Sequence, residues 1–296
     1  YASARASYPT FLPFTESLWL QARWALKGFI DANRWDLVVR LVASDAEVRS
    51  NIFKSLLLNS ISLLSVSVLD FLLHPLARGR PENWLHRNLG LFYQILWITP
   101  VVGVSLYLNG AWCTLVAKRV YTLRYGLSSY VAPPSVSTNT YIAFLHALAT
   151  SAYRGAMIIT SVALSYALGF IPLAGRPAEF VYFAWVDAFY CFEFVWIARG
   201  LSLSKRVRHL EEHWAYYLAF GIPVAAFCMW GSALANAAFF ALLFPSYIIM
   251  ATHARPAPDD PYNPSDAPSI THPSPYVPIR VPVFAPVIAI DDAVLR

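Results

Sequence analysis

Residues 187–196 read DAFYCFEFVW, placing two carboxylates and a thiol in a run that is otherwise apolar and aromatic. A carboxylate in mid-bilayer costs about 2.5–3.5 kcal/mol on insertion scales, so Asp187 and Glu193 must face protein, water or a cation. Two further groups have spacings that chemistry uses. Ser105, Asn109 and Trp112 recur at i, i+4 and i+7, one stripe of a helix. His209, Glu212 and His213 belong to HLEEH, which fits the H-x-x-E-H pattern of one class of zinc protease. There the two histidines would hold zinc and the glutamate would activate water. A further ligand is needed and nothing nearby nominates one, so the segment reads as the solvated face of a surface helix, with no metal or other cofactor. Cys113, Cys191 and Cys228 all lie in apolar runs and read as buried, inert thiols. No phosphate-cradling glycine loop, supported nucleophile triad or nucleic-acid module is legible, so neither an enzyme nor a nucleic-acid partner is expected.

Composition dictates what positions these groups. Of 296 residues, 57% are hydrophobic and 13% charged, and mean hydropathy is +0.48. A soluble domain carries roughly 25% charge, and a soluble core could not hide this much apolar surface. The expected class is all-α: a polytopic membrane bundle with about four to six membrane-inserted helices, some of them half-penetrating hairpins. The net charge of +5 then reports orientation more than a polyanionic partner.

Residues 1–50 form an N-terminal cytosolic or interfacial region. Leu18, Trp19, Ala22, Leu26 and Phe29 or Ile30 share a face there, predicting an amphipathic helix at the membrane surface. The membrane domain is predicted over 51–254. Its spanning segments are 55–73, where Asp70 and His74 follow on one face, then 89–117, 141–172 and 180–197. Between 199 and 213, Leu203, Val207, Leu210 and Trp214 make an apolar stripe beneath Lys205, Arg206 and Arg208, read as a helix on the membrane surface. Residues 215–252 are uncharged and punctuated by Pro223, Gly231–Ser232 and Pro245, a hairpin that crosses or only dips in. Trp214, Tyr216 and Tyr217 at its start read as headgroup anchors. Ser161, Ser165 and Gly169 form a small-residue ridge for close helix approach. From 255 to 296 the chain is a proline-rich cytosolic tail, with ten prolines between 256 and 286 and no helical period. Its VFAPVIAI run is too short to span; it is a plain tail or an addition to a partner's surface.

If 141–172 and 180–197 turn near Ala174–Gly175, Glu193 and Arg154 reach the same height. Glu193 is therefore expected to pair with Arg154, or with Arg199. For Asp187 two roles stay open, an interhelical hydrogen bond and a place in an ion or lipid path. For the Ser105–Asn109 stripe they are packing and the lining of a polar passage. With six crossings, the side bearing both termini collects 17 of the 22 Lys and Arg, so both termini are predicted cytosolic.

Two motifs carry a resemblance. LWITPVVGVSLYLNGAW contributes Trp97, Pro100, Ser105, Asn109 and Trp112. YCFEFVW, LEEHWAYYLAFGIP and LFPSYII contribute Tyr190, Cys191, Phe192, Glu193, Trp196, Glu211, Trp214, Tyr216, Tyr217, Phe220, Gly221, Pro223, Phe244 and Pro245. On these residues, roughly 51–253 resembles the etoposide-induced protein 2.4 family, whose distant bacterial relatives are the CysZ sulfate permeases. The resemblance implies a multi-pass endoplasmic-reticulum protein linked to autophagy and membrane homeostasis. Its partners would be the lipid bilayer and either other endoplasmic-reticulum membrane proteins or further copies of itself. The bacterial relatives imply partly inserted hairpins and supply the alternative, a small-anion (sulfate-like) transporter or channel.

Overall fold

The computed structural model describes residues 14–77, 99–126, 140–229, 233–256 and 280–295, with the side chains of Asp70, His74, Pro100 and Arg154 outside that description. All regular structure among the described residues is helical: α1 (Phe14–Asp31), α2 (Trp35–Ser44), α3 (Ala46–Ala77), α4 (Thr99–Tyr125), α5 (Thr140–Gly169), α6 (Gly175–Ala198), α7 (Leu203–Glu212), α8 (Trp214–Cys228), α9 (Ala233–His253) and α10 (Ala285–Leu295). They divide into two compact units. One gathers α1, α5, α6, α7, most of α8 and α10; the other gathers α2, α3, α4 and α9.

In the second unit α3 and α4 are antiparallel neighbours. Asp45 starts α3, its Oδ1 accepting the backbone N–H groups of Glu47 (3.0 Å) and Val48 (2.9 Å), two donors that the first turn cannot satisfy itself. The same carboxylate takes Arg119 of α4 through Nε and Nη2 at 2.9 and 2.7 Å. That hydrogen-bonded guanidinium, with the capped amides, holds the Asp45 carboxyl below the usual carboxylate range.

The faces of α3 reverse the pattern of a water-soluble helix. Asn51, Ser55 and Asn59 are buried, while Phe53, Leu57, Ile61, Leu64, Val68 and Phe71 are exposed. From Phe53 to Phe71 the apolar stripe runs about 27 Å at about 1.5 Å per residue, close to the ~30 Å of bilayer hydrocarbon. In the first unit α5 repeats the reversal, with Ser161 and Ser165 buried and Ile158, Ile159 and Tyr166 exposed. Large apolar side chains outside and small polar ones inside minimise free energy only where the surrounding solvent is lipid.

In that first unit α5 and α6 form a hairpin across 170–174, where Leu173 takes a left-handed φ of 69°. Among the described residues α6 alone is long and apolar enough to span by hydropathy, and 61% of its apolar window is buried. Gly200, at φ 71°, then reverses the chain into α7; a side chain there would be strained. α8 has 15 residues, about 22 Å, short of a full crossing.

Three expectations change. The stripe of α7 does not lie on a membrane: Val207 and Leu210 are buried in the chain's own core, so packing has claimed the face that looked membrane-bound. Tyr216 and Tyr217 are no headgroup anchors, since both are 0% exposed. The end of the tail is folded: α10 packs on α5, with Phe284 and Val287 fully buried. Pro286 tolerates this because it lies in the first turn of α10, where its missing N–H has no intrahelical partner. The apolar face of α1 is left open as expected, with Leu18, Trp19, Leu26, Phe29 and Ile30 all exposed, while Gln21, Trp24 and Asp31 turn inward.

Candidate functional site

The predicted Ser105–Asn109 stripe is one half of a polar seam within the α3, α4 and α9 unit. The other half comes from α3, where Ser55, Asn59 and Ser62 repeat the same i, i+4, i+7 spacing. The Ser55 hydroxyl donates to Asn109 Oδ1. The Asn59 amide donates to Ser55 Oγ at 3.4 Å and to the Ala241 carbonyl of α9 at 3.1 Å. One turn on, the Ser62 and Ser105 hydroxyls meet at 2.6 Å. Ser55, Asn59 and Asn109 are at most 6% exposed. The stripe therefore has Asn109 Oδ1 and Ser105 Oγ engaged by the facing helix, the arrangement that polar side chains reach in lipid. Trp112 is half-buried beside it, and Trp97 lies outside the described residues.

The second motif assembles in the other unit as an aromatic core. Phe192 packs edge-on against Tyr217 and Phe220, with ring centroids 4.9 and 4.8 Å away, and against Trp196 at 5.8 Å. Tyr190 packs on Phe189, and Cys191 is fully buried. Trp185 Nε1 donates to the Trp214 carbonyl at 3.0 Å. The Tyr216 hydroxyl donates to Asp31 of α1 at 2.7 Å, tying elements 185 residues apart. Gly221 lets α8 approach α6 so closely that a Cβ there would collide with the Ala184 carbonyl oxygen. Pro223 and Pro245 sit buried inside α8 and α9.

The two acids of the opening stretch diverge in role. Glu193 Oε1 accepts from Arg206 Nη1 at 3.2 Å, with the acid side chain 4% and the arginine side chain 15% exposed. Arg206 Nε also donates to the Leu201 carbonyl at 2.8 Å. This ion pair comes from α7, since the reversal at Gly200 brings a later basic residue back beside α6; the side chain of the expected partner Arg154 lies outside the described residues. Asp187 is 3% exposed, and its Oδ2 has no hydrogen-bond partner among the described residues.

HLEEH is committed elsewhere. Glu212 Oε1 takes Arg208 Nε at 2.6 Å, and His213 Nδ1 lies 2.9 Å from the His209 carbonyl oxygen. The His209 ring lies tilted against His213, centroids 4.6 Å apart, and edge-on to Trp196. Burial, with the neighbouring His213 and Arg199, pushes His209 down to about 3, and burial also lowers His213. No cluster of three or more metal-ligating side chains occurs among the described residues.

Glu211 holds the C-terminal segment. Its Oε2 takes Arg280 Nε at 2.7 Å and Nη2 at 2.6 Å, and its Oε1 takes the Phe284 N–H at 3.3 Å. Sequence reasoning marked Glu211 as a motif residue and missed its partners, which lie about 70 positions away.

Helices with small polar side chains inside and apolar ones outside, along a lipid length in α3, define a helical membrane protein. The chain belongs to the family described as Sulfate transporter CysZ/Etoposide-induced protein 2.4, whose model matches residues 34–245. It is similar to the Protein EI24 homolog of Dictyostelium discoideum, 27% identical over 225 residues that cover 74% of this chain and 69% of that one. A Protein EI24 homolog of Arabidopsis thaliana is 28% identical over 183 residues, 57% of each chain. The Ectopic P granules protein 4 of Caenorhabditis elegans is 38% identical over 80 residues, 27% of this chain and 25% of that one. No solved structure matches. The family match takes in both the polar seam and the aromatic core.

Proposed function

We propose that this is a non-enzymatic, multi-pass protein of the endoplasmic-reticulum membrane, with both termini cytosolic, acting through its membrane shape and its partners in autophagy and membrane homeostasis. Family membership supports the setting, and the positive-inside count supports the orientation. One observation carries the choice of organiser over conductor. The stripe that would line a passage is closed by Ser55–Asn109, Asn59–Ala241 and Ser62–Ser105 hydrogen bonds, the first of them buried and the other two part-buried. Two basic residues that could attract an anion are also held by carboxylates, Arg119 by Asp45 and, in the other unit, Arg206 by Glu193. The partners are other membrane proteins of the same compartment or further copies of this chain.

Sulfate flux into proteoliposomes, run beside affinity capture from endoplasmic-reticulum membranes, tests this reading. An organiser gives flux at the level of empty vesicles and a defined set of co-purifying membrane proteins. Saturable sulfate uptake that falls on replacing Asn109 would overturn it.

A further inference from the structure

Residues 280–295 sit in their unit as a ligand sits in a groove. At one end the buried Glu211 takes the Arg280 guanidinium and the Phe284 N–H, while its own carbonyl accepts from Val281 N–H at 3.2 Å. In the middle Phe284 fills a slot against Tyr182 and Phe189, ring centroids 6.5 and 5.0 Å away, with Val287 buried one turn on. At the far end the Thr160 hydroxyl donates to Asp291 Oδ1 at 2.6 Å. A base, an aromatic four residues on and an acid eleven residues on therefore set one register on α5, α6 and α7.

The contact is narrow. Ala285, Pro286, Ala289, Ile290, Asp292 and Ala293 face outward. At the Thr160 end the fit is incomplete: Asp291 Oδ2 is buried without a hydrogen-bond partner among the described residues. Unsatisfied polar atoms at an interface oppose tight closure, whereas a core segment is ordinarily satisfied throughout.

We propose that the groove on α5, α6 and α7 is a peptide-binding site and that residues 280–295 are its detachable ligand, held in cis. Release uncovers Glu211, Tyr182 and Phe189 and presents the C-terminal segment to other surfaces. The proposal is independent of the organiser reading.

A fluorescent synthetic peptide of residues 279–296 tests it on the full-length chain in detergent. Arg280→Glu with Phe284→Ala alters the ligand and leaves the groove untouched. That chain is expected to bind the peptide at least tenfold more tightly than the wild-type chain, whose groove is occupied. Adding Glu211→Gln should weaken binding at least tenfold, and a peptide carrying Arg280→Glu should not bind. Hydrogen exchange on the same released chain should show residues 288–295 losing protection while α6 keeps its own. Equal binding by wild-type and released chains, no binding by the released chain, or collapse of α6 protection along with the segment would overturn it.

Discussion

Asn109→Leu separates a dry packing seam from a wet passage. The substitution keeps roughly the same side-chain size and removes the acceptor for the Ser55 hydroxyl in a site 6% exposed. In water such a change to a solvated polar group would cost little or favour folding through the apolar gain. Between helices in lipid, one side-chain hydrogen bond contributes about 0.6 kcal/mol on average and up to about 1.7 kcal/mol. Asn109 has a second, weak contact, from Cys113 Sγ at 3.8 Å, so the expected loss lies toward the upper part of that range, about 1–1.7 kcal/mol. That is a fivefold to twentyfold change in the folding equilibrium. Reversible unfolding in mixed micelles provides the assay, run as two double-mutant cycles. Asn109→Leu with Ser55→Ala should show a coupling of about 0.6 kcal/mol or more. Asn109→Leu with Ser62→Ala, whose hydroxyl meets Ser105 instead, should show a coupling near zero. Zero coupling in the first cycle would mean that Asn109 and Ser55 are separately solvated, and the seam account would fail.

Gly221→Ala should destabilise by about 1–3 kcal/mol or more, because the added methyl meets the rigid Ala184 carbonyl; thermal unfolding in detergent reads this, and an unchanged midpoint would mean that α8 and α6 are not in contact. Acid should weaken the aromatic core. Burial pushes the His209 imidazole down to about 3 in the fold against 6.5 unfolded, so between those values the unfolded chain binds more protons. Stability is therefore full above pH 6.5 and is lost progressively toward pH 3. The contribution of this half-buried imidazole by pH 5 is about 1–2 kcal/mol, and His209→Gln should flatten the slope by close to one proton.

The sequence announced the α4 stripe because serine and asparagine four apart stand out in an uncharged run. Ser55, Asn59 and Ser62 carry the same spacing, but isolated hydroxyls and amides in a long apolar segment read as neutral until a facing helix supplies their partners. Tyr216 and Tyr217 misled for a different reason. Aromatics at the start of an apolar run suit a headgroup boundary, and only the distant Asp31 and Phe192 reveal that they are core. Glu193 announced a cation, yet which cation depended on the reversal at Gly200. The docking of α10 was hidden because Pro282 and Pro286 break the periodicity that would mark a helix, while Glu211 gives no local sign of its Arg280 partner. Long-range pairings, and the burial that follows from them, were thus the illegible part; the inward α4 stripe and the open apolar face of α1 were legible from residue type.

The central claim is that α3 turns its apolar stripe to lipid and its polar stripe to protein. Nitroxide labels placed singly at positions 57, 61, 64 and 59 of the protein in bilayers test it most directly, through collision with oxygen and with a water-soluble nickel chelate. The account predicts strong oxygen and negligible nickel collision at 57, 61 and 64, and weak collision with both at 59. Strong nickel collision at 59, or at 57, 61 and 64, would contradict it.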